Sequence, residues 1–410
     1  MKLLLALAWK NLSRYRRRTL ITAGALAAGV AVFIWLDGWL AGAERESERN
    51  IVWYESGSAK VLPRAALEDL RLLSLKEVIE EPAAVESALQ AAGVSAARRA
   101  VLAGELFFGE GSLLVKVIAL DPASDGRVFR LAETISAGRY LAPDEPGVLL
   151  GEWLAQDLGA SVGDLVTLRA RTRYGAFQTL ELQVAGLLNC PNPLVNKGTA
   201  FIPLSLADQA LELQGAVSEL DLGFPERQQP GPRLEAVRAR LAGFPGLAVV
   251  GWKELAQDYL MIARAKTAGS SLLLVLIFII AAVGIGNTML MAVFERVREI
   301  GMMRALGLGD GAIRLAFLLE AGGIGLLGTA AGLALGAALN FYMVRWGLNL
   351  GAMIGSMDIG YRVHTVFRSA WHPQALIGAP AFGIGASMLI SLIPSSRALR
   401  LQITDCLRHK

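Results

Sequence analysis

Phe294–Phe317 reads FERVREIGMMRALGLGDGAIRLAF, a short basic interruption between two long apolar runs. Before it, Thr267–Phe294 has 28 residues without a charge; after it, with only Glu320 between, Ala321–Val344 has 24 more. An uncharged run of this length is enough to cross a bilayer. The basic stretch is therefore a turn between two membrane spans. It carries Arg296, Arg298, Arg304 and Arg314, which places it on the cytoplasmic side. A bare connection needs only a few residues. Residues 295–315 have room for a helix of about three turns lying across the ends of the two spans. Ile300, Met303 and Leu306–Gly307 recur at helical spacing, with Arg298, Glu299 and Arg304 between them. Such a surface suits docking, or contact with lipid headgroups.

Working outward, the rest of the chain falls into place around this turn. Of 410 residues, 54% are hydrophobic and 19% charged, against about a quarter charged in a soluble protein. This is the composition of a membrane protein with one sizeable soluble part. The net charge of +4 is small, and the basic residues cluster beside the apolar runs. They report topology rather than nucleic-acid binding. Residues 1–19 pair a short apolar stretch with the basic block Arg14–Arg18, where a signal peptide would have a small-residue cleavage site. We read residues 1–19 as a cytoplasmic interfacial helix.

The first span covers 20–43. Asp37, near its outer end beside Trp35 and Trp39, reads as part of an interfacial aromatic belt. Residues 44–266 form an extracytoplasmic α+β domain. Pro82–Ala92 reads as a helix with proline in its first turn and Gly93 as its stop. Ala100–Phe108 and Leu113–Leu120 flank a Gly-Glu-Gly-Ser hairpin signal. A central block, 136–211, is β-rich, and Cys190-Pro191-Asn192-Pro193 marks a loop. A helix-then-strand pattern on either side of this block suggests a split α/β sandwich with an insertion. Residues 252–266 continue the helical pattern into the second span without a breaker, which predicts a rigid stalk.

The second span is 267–294 and the third 316–344. Gly328, Gly332 and Gly336 make a small-residue stripe on the third, suited to packing within the chain or to dimerisation. An outer loop, 345–372, leads to the fourth span at 373–396. That span contains Pro380 and Pro394, a setting for a kink. A basic tail, 397–410, ends the chain inside. The fold class is thus membrane α-helical, four transmembrane helices, with the α+β domain inserted between the first and second. Cys190 and Cys406 then lie on opposite sides of the membrane, which excludes a disulfide between them.

No G-x-x-x-x-G-K-[ST] phosphate loop, H-E-x-x-H or G-x-S-x-G occurs. Three scattered histidines are too few for a zinc site. Neither catalytic nor metal residues are expected, and the carboxylates of the soluble part read as solvated caps.

The layout and its motifs resemble the MacB/FtsX-type permease family of ABC transporters. Arg298–Gly307 fits R-E-x-G-x-x-[RK]-A-L-G, Gly151–Asp164 fits G-x-x-L-A-x-x-L-G-x-x-x-G-D, and Pro394–Leu399 carries the family's proline-arginine-alanine-leucine ending. In layout the chain is nearest to the lipoprotein-releasing LolC/LolE permeases. The resemblance implies that 51–135 and 212–252 form a porter-like part around the 136–211 insertion. It also implies that the turn is a coupling helix seated in a separate ATPase subunit. That role falls on Glu295, Arg298, Glu299, Met302, Arg304, Ala305, Leu306 and Gly307. ATP and Mg would be bound by a dimer of that ATPase, with no cofactor in this chain. A second permease copy or a paralogue, lipid, and an acylated lipoprotein or other substrate complete the expected partners, with or without a periplasmic chaperone or adaptor. The location implied is the bacterial inner membrane, both termini cytoplasmic and the large domain periplasmic. The leading function is lipoprotein release by mechanotransmission. The alternatives are MacB-like efflux or peptide export with an adaptor, and FtsX-like regulation of cell-wall hydrolysis, whose outer domain is much smaller.

Overall fold

A computed structural model describes residues 10, 12–14, 16–67, 72–225, 231–257, 294–349 and 366–399, with scattered positions from 260 to 291. The chain divides into two compact units. One comprises Met1–Arg45, Met261–Leu350 and Val366–Lys410, and the other Glu46–Leu260 and Gly351–Thr365.

The soluble unit is organised by a ten-stranded sheet. Its strands are β1 (Ala59–Pro63), β2 (Ser95–Phe108), β3 (Gly111–Leu120), β4 (Ile135–Gly138), β5 (Gly147–Gly151), β6 (Leu165–Arg171), β7 (Phe177–Leu188), β8 (Thr199–Pro203), β9 (Glu219–Gly223) and β10 (Leu247–Gly251). They lie in the order β10-β1-β9-β2-β3-β8-β5-β7-β4, with β6 bridging β2 and β7. The strands of the central block, β4 to β8, share this sheet with the strands on either side of it. The reason is the length of β2, 14 residues. Its first half pairs with β9 (Arg99 opposite Glu219) and its second half with β6 (Glu105 opposite Arg169), so one strand belongs to both regions. Strand β6 alternates exposed and buried positions along its length, the period-2 pattern of a half-buried sheet.

The cores follow the sheet, not the block boundaries. In the half around β3, Leu102, Leu106 and Val117 of β2 and β3 pack with Leu150, Leu168 and Leu182 of the central block. In the other half, Val61, Val85, Leu89, Leu220, Leu222 and Val237 pack helices α2 (Pro82–Gln90) and α6 (Gly231–Arg240) onto the β1–β9 side. Between α2 and α6 come α3 (Glu152–Leu158), α4 (Pro193–Gly198) and α5 (Leu204–Ala210). Proline opens α2 at its first turn, where its missing N–H has no helical partner to lose. Cys190 is free and fully buried, and burial pushes its thiol up to about 11. The Asn196 side chain accepts from its N–H at 3.0 Å, so this cysteine is a packed core group. Cys406 lies outside the described residues.

The stalk expected over 252–266 is not one continuous helix. Helix α7 (Trp252–Leu255) is a single turn that ends at Ala256 (φ −96°, ψ 34°). Trp252, with no exposed surface, is the anchor that holds this turn against the sheet, and its N–H donates to Ser58 O at 3.3 Å. Several of the residues that follow, to 266, lie outside the described ones.

In the other unit, three described helices are long and apolar enough to cross a membrane. They belong to α1 (Arg16–Ile51), α9 (Asp310–Arg345) and α10 (Pro373–Leu399). Half of the expected second span, 267–294, falls outside the described residues, as do most of 1–19 and the tail from 400. At 1.5 Å per residue, the 36 residues of α1 span about 54 Å, far more than the ~30 Å apolar layer. Pro380 and Pro394 both lie inside α10, which runs through them. A two-residue ribbon, β11 (Leu348–Asn349) with β12 (Val366–Phe367), brackets the loop between α9 and α10.

Candidate partner-docking site

The basic turn folds as helix α8 (Val297–Ala305), shorter than the expected 295–315. Its end follows from Gly307, which takes φ +87°. Gly307 N–H donates to Arg304 O and Leu308 N–H to Met303 O, both at 3.0 Å. These two bonds make the glycine-dependent Schellman stop, and Leu308 and Met303 both pack on one apolar cluster, as that motif favours. Gly309 is extended, and the next helix, α9, starts at Asp310 rather than 316.

Helix α8 is amphipathic. Val297, Ile300 and Gly301 are buried. Ile300 meets Ile313, Phe317 and Leu399 in a small core with Met303 and Leu308 alongside. The opposite side is open. Glu295, Arg298, Ala305 and Gly307 are exposed, Met302 is 48% exposed and Leu306 87%. A leucine that exposed, at the end of α8, is an apolar knob without cover in the single chain.

Two other residues of the expected set, Arg304 and Glu299, form ion pairs inside the chain. Arg304 Nε lies 3.2 Å from Asp310 Oδ1, tying the last turn of α8 to the first of α9. Glu299 meets Arg14 Nη1 at 3.4 Å, which joins α8 to the N-terminal segment. A residue outside the expected set makes the deepest contact. Arg296, the non-helical residue just before α8, pairs with Glu320 at 3.0 Å, each only 4% exposed. The helical spacing of Ile313, Phe317, Glu320 and Ile324 puts Glu320 on the buried stripe of α9, a signal that could have singled it out.

Along α9, Gly328, Gly332 and Gly336 sit against α1 of the same chain. A Cβ at Gly328 would lie 2.8 Å from Ala23 O, at Gly332 2.7 Å from Ala27 O, and at Gly336 3.0 Å from Ile34 Cβ. At the Arg345 end of α9, Asp37 Oδ2 lies 2.8 Å from His372 Nδ1. Asn340 Nδ2 donates to Ala370 O at 3.3 Å, and Ala370 N–H donates to Gly38 O at 2.8 Å. Asp37 therefore has a specific partner across two helices, beyond a place in an aromatic belt.

The soluble unit holds a buried charge cluster that sequence reading missed. Lys60 and Asp221 face each other across β1 and β9, as do Glu219 and Arg99 across β9 and β2. Lys60 Nζ is 3.2 Å from Asp221, while Arg99 Nε donates to Asp125 at 2.9 Å and its guanidinium lies 3.3 Å over the Phe129 ring. Burial pushes the Asp221 carboxyl up to about 7, against the opposing pull of Lys60 and Arg99. Burial likewise lowers Lys116 from the usual lysine range. Among the described residues, no group of three or more His, Cys, Asp or Glu could hold a metal ion.

A soluble α+β unit inserted after a first long apolar helix, with an amphipathic turn presented by the helices that follow, defines a membrane permease. The chain belongs to the MacB-like periplasmic core domain family, matched over residues 19–241, and residues 271–403 match the FtsX-like permease C-terminal family. It is an ABC transporter permease of the LolC/LolE and MacB type. The lipoprotein-releasing system transmembrane protein LolC of Neisseria meningitidis is 25% identical over 76% of this chain and 79% of its own length. The lipoprotein-releasing system transmembrane protein LolE of Haemophilus influenzae is 26% identical over 63% of each. The macrolide export ATP-binding/permease protein MacB of Nitrobacter winogradskyi is 27% identical over 69% of this chain and 40% of its own.

Proposed function

We propose that this permease releases lipoproteins from the inner membrane, driven by a separate ATPase dimer that grips helix α8. The observation that carries the docking role is the exposed pair Met302 and Leu306, one helical turn apart on the open face of α8. Arg298 and Ala305 flank them as rim. The apolar pair fills a pocket on the ATPase, and burying an exposed leucine there is worth about 1.5–3 kcal/mol. Glu299 and Arg304 act from inside the chain, holding the helix in place. ATP-driven closure of the ATPase dimer then moves α8, and with it the spans and the periplasmic unit. In this reading α8 faces the cytoplasm and both termini lie there. The lipoprotein substrate is favoured by LolC and LolE relatives that match most of the chain and of their own length.

The test is affinity purification of the complex in mild detergent, with the ATPase and any acylated protein identified by mass spectrometry. Leu306→Asp places a charge in the apolar contact and should cost at least tenfold in ATPase recovery, roughly the loss of 1.4 kcal/mol. Full recovery with Leu306→Asp would remove the docking role. Bound acylated protein, released on adding ATP, supports lipoprotein release; co-purification of a periplasmic adaptor and no acylated protein would favour MacB-like export instead.

A further inference from the structure

We infer that Arg296 and Glu320 are positioning residues that lock helix α8 to the third-span helix α9, so that the two move as one lever. This rests on the docking role proposed for α8 and adds the linkage that such a role requires.

The geometry is a two-point attachment. At one end, Arg296 Nη1 meets Glu320 Oε2 at 3.0 Å, with both residues 4% exposed. At the other, Arg304 meets Asp310 at 3.2 Å. Between them, Ile300 and Met303 rest on Ile313 and Phe317. Apolar contact alone is non-directional, and side chains on such a seat can slide. A buried ion pair cannot slide without pulling opposite charges apart in a low-dielectric setting, where their attraction is strong. Its position is also informative. Arg296 has non-helical dihedrals (φ −118°, ψ 15°) and is the joint between the second span and α8. A hinge would form there by default. The bond to Glu320, ten residues into α9, removes that freedom.

A hydrophobic pair could fill the same volume, and buried ion pairs are poor stabilisers relative to such a pair. Ionisable groups within membrane segments are rare and mark function. A directional link at the joint is a use that only the charged pair supplies.

The distance is read on the full-length permease alone in nanodiscs, in a background without native cysteines, with spin labels at Met302→Cys and Leu326→Cys, so that a label on the docking face disturbs no ATPase contact. Both positions are exposed. Pulsed electron paramagnetic resonance reads the distance between labels, while ATP hydrolysis and substrate release are measured on the unlabelled permease–ATPase complex. With Arg296 and Glu320 intact, the labels should show one narrow distance. Glu320→Ala should broaden it, and in the complex ATP hydrolysis should be retained and ATP-driven release of bound substrate lost. The exchanged pair Arg296→Glu with Glu320→Arg should restore the narrow distance, which a role in folding alone would not bring about. A narrow, unchanged distance in Glu320→Ala overturns the inference. So does broadening in the exchanged pair, or a loss of ATP hydrolysis that accompanies every Glu320 variant. If the intact permease recovers no ATPase, the docking role itself has failed; if it recovers ATPase and only the distance result is negative, the linkage alone has failed.

Discussion

The two units bury charge in different ways. In the soluble unit, Lys60, Arg99, Glu219 and Asp221 on neighbouring strands share one cluster with Asp125 from the helical turn after β3, and Lys60 and Arg99 each reach two carboxylates. In the span-bearing unit, the ion pairs Arg296–Glu320 and Asp37–His372 each bridge segments that meet at a helix junction. In the cluster, losing Arg99 would leave two buried carboxylates short of a cation at once. In the Arg296–Glu320 pair, losing one member deprives one buried charge of that partner. The cluster thus serves a fold, and the pairs serve particular joints.

The strongest way to break this contrast is to remove a cluster member. Arg99 has no exposed side-chain surface and lies within ion-pair reach of both Asp125 and Asp221. Arg99→Met keeps much of the volume and leaves two carboxylates short of a cation. Loss of one partner from a buried pair typically costs about 3–5 kcal/mol. Denaturant unfolding of the full-length permease, followed at the buried Trp252 of the soluble unit, should show a loss of that size. A loss under 1 kcal/mol would mean that the remaining cations take over, and that the cluster is more forgiving than argued.

Much of this contrast was illegible in the sequence, for a physical reason. Uncharged runs and the Arg298–Gly307 motif are local signals, and they indicated an amphipathic helix between two apolar runs, though not its stop at Gly307. What local pattern cannot carry is pairing across long separations. Lys60 meets Glu219 at a separation of 159 residues, and Asp37 meets His372 at 335. In the sequence, Asp37 is a carboxylate beside two tryptophans, and Lys60 is a lysine in an apolar run. The break at Ala256 was hidden for another reason. No glycine or proline marks it, and the turn before it is held by tertiary burial of Trp252. Glu320 was the most nearly legible, because its spacing from Ile313 and Phe317 put it on a buried stripe.

A second prediction sharpens the cluster's side of the comparison through pH. The Asp221 carboxyl is raised from its ordinary 3.8 to about 7 in the folded unit, chiefly by burial. A raised carboxyl favours folding while it is protonated. That contribution is complete below about pH 4 and is lost as pH rises through about 7. Between pH 5 and pH 8 it should weaken by roughly 2 kcal/mol. Asp221→Asn has no proton to lose and should flatten this part of the profile. Thermal unfolding in detergent at half-unit pH steps provides the check. Parallel profiles for the two proteins would show that Lys60 and Arg99 hold Asp221 ionised throughout.

The smallest effect should come from the pair at the Arg345 end of the spans. Asp37 and His372 are 2.8 Å apart, but the His372 side chain is 39% exposed, so solvent screens what the pair gains. Partly exposed pairs contribute about 0–1 kcal/mol. The same junction is also held by Ala370 N–H to Gly38 O and by Asn340 to Ala370 O, neither of which needs a charge. Asp37→Asn keeps the size and a hydrogen-bonding oxygen. Its thermal midpoint should therefore fall within a degree or two of the parent, roughly 0.5 kcal/mol for a chain of this size. The contrast with Glu320→Ala is the informative part. If Asp37→Asn also uncoupled ATP hydrolysis from substrate release while leaving stability intact, junction pairs at both ends of α9 would be linkages, and exposure would be a poor guide to which of them matter.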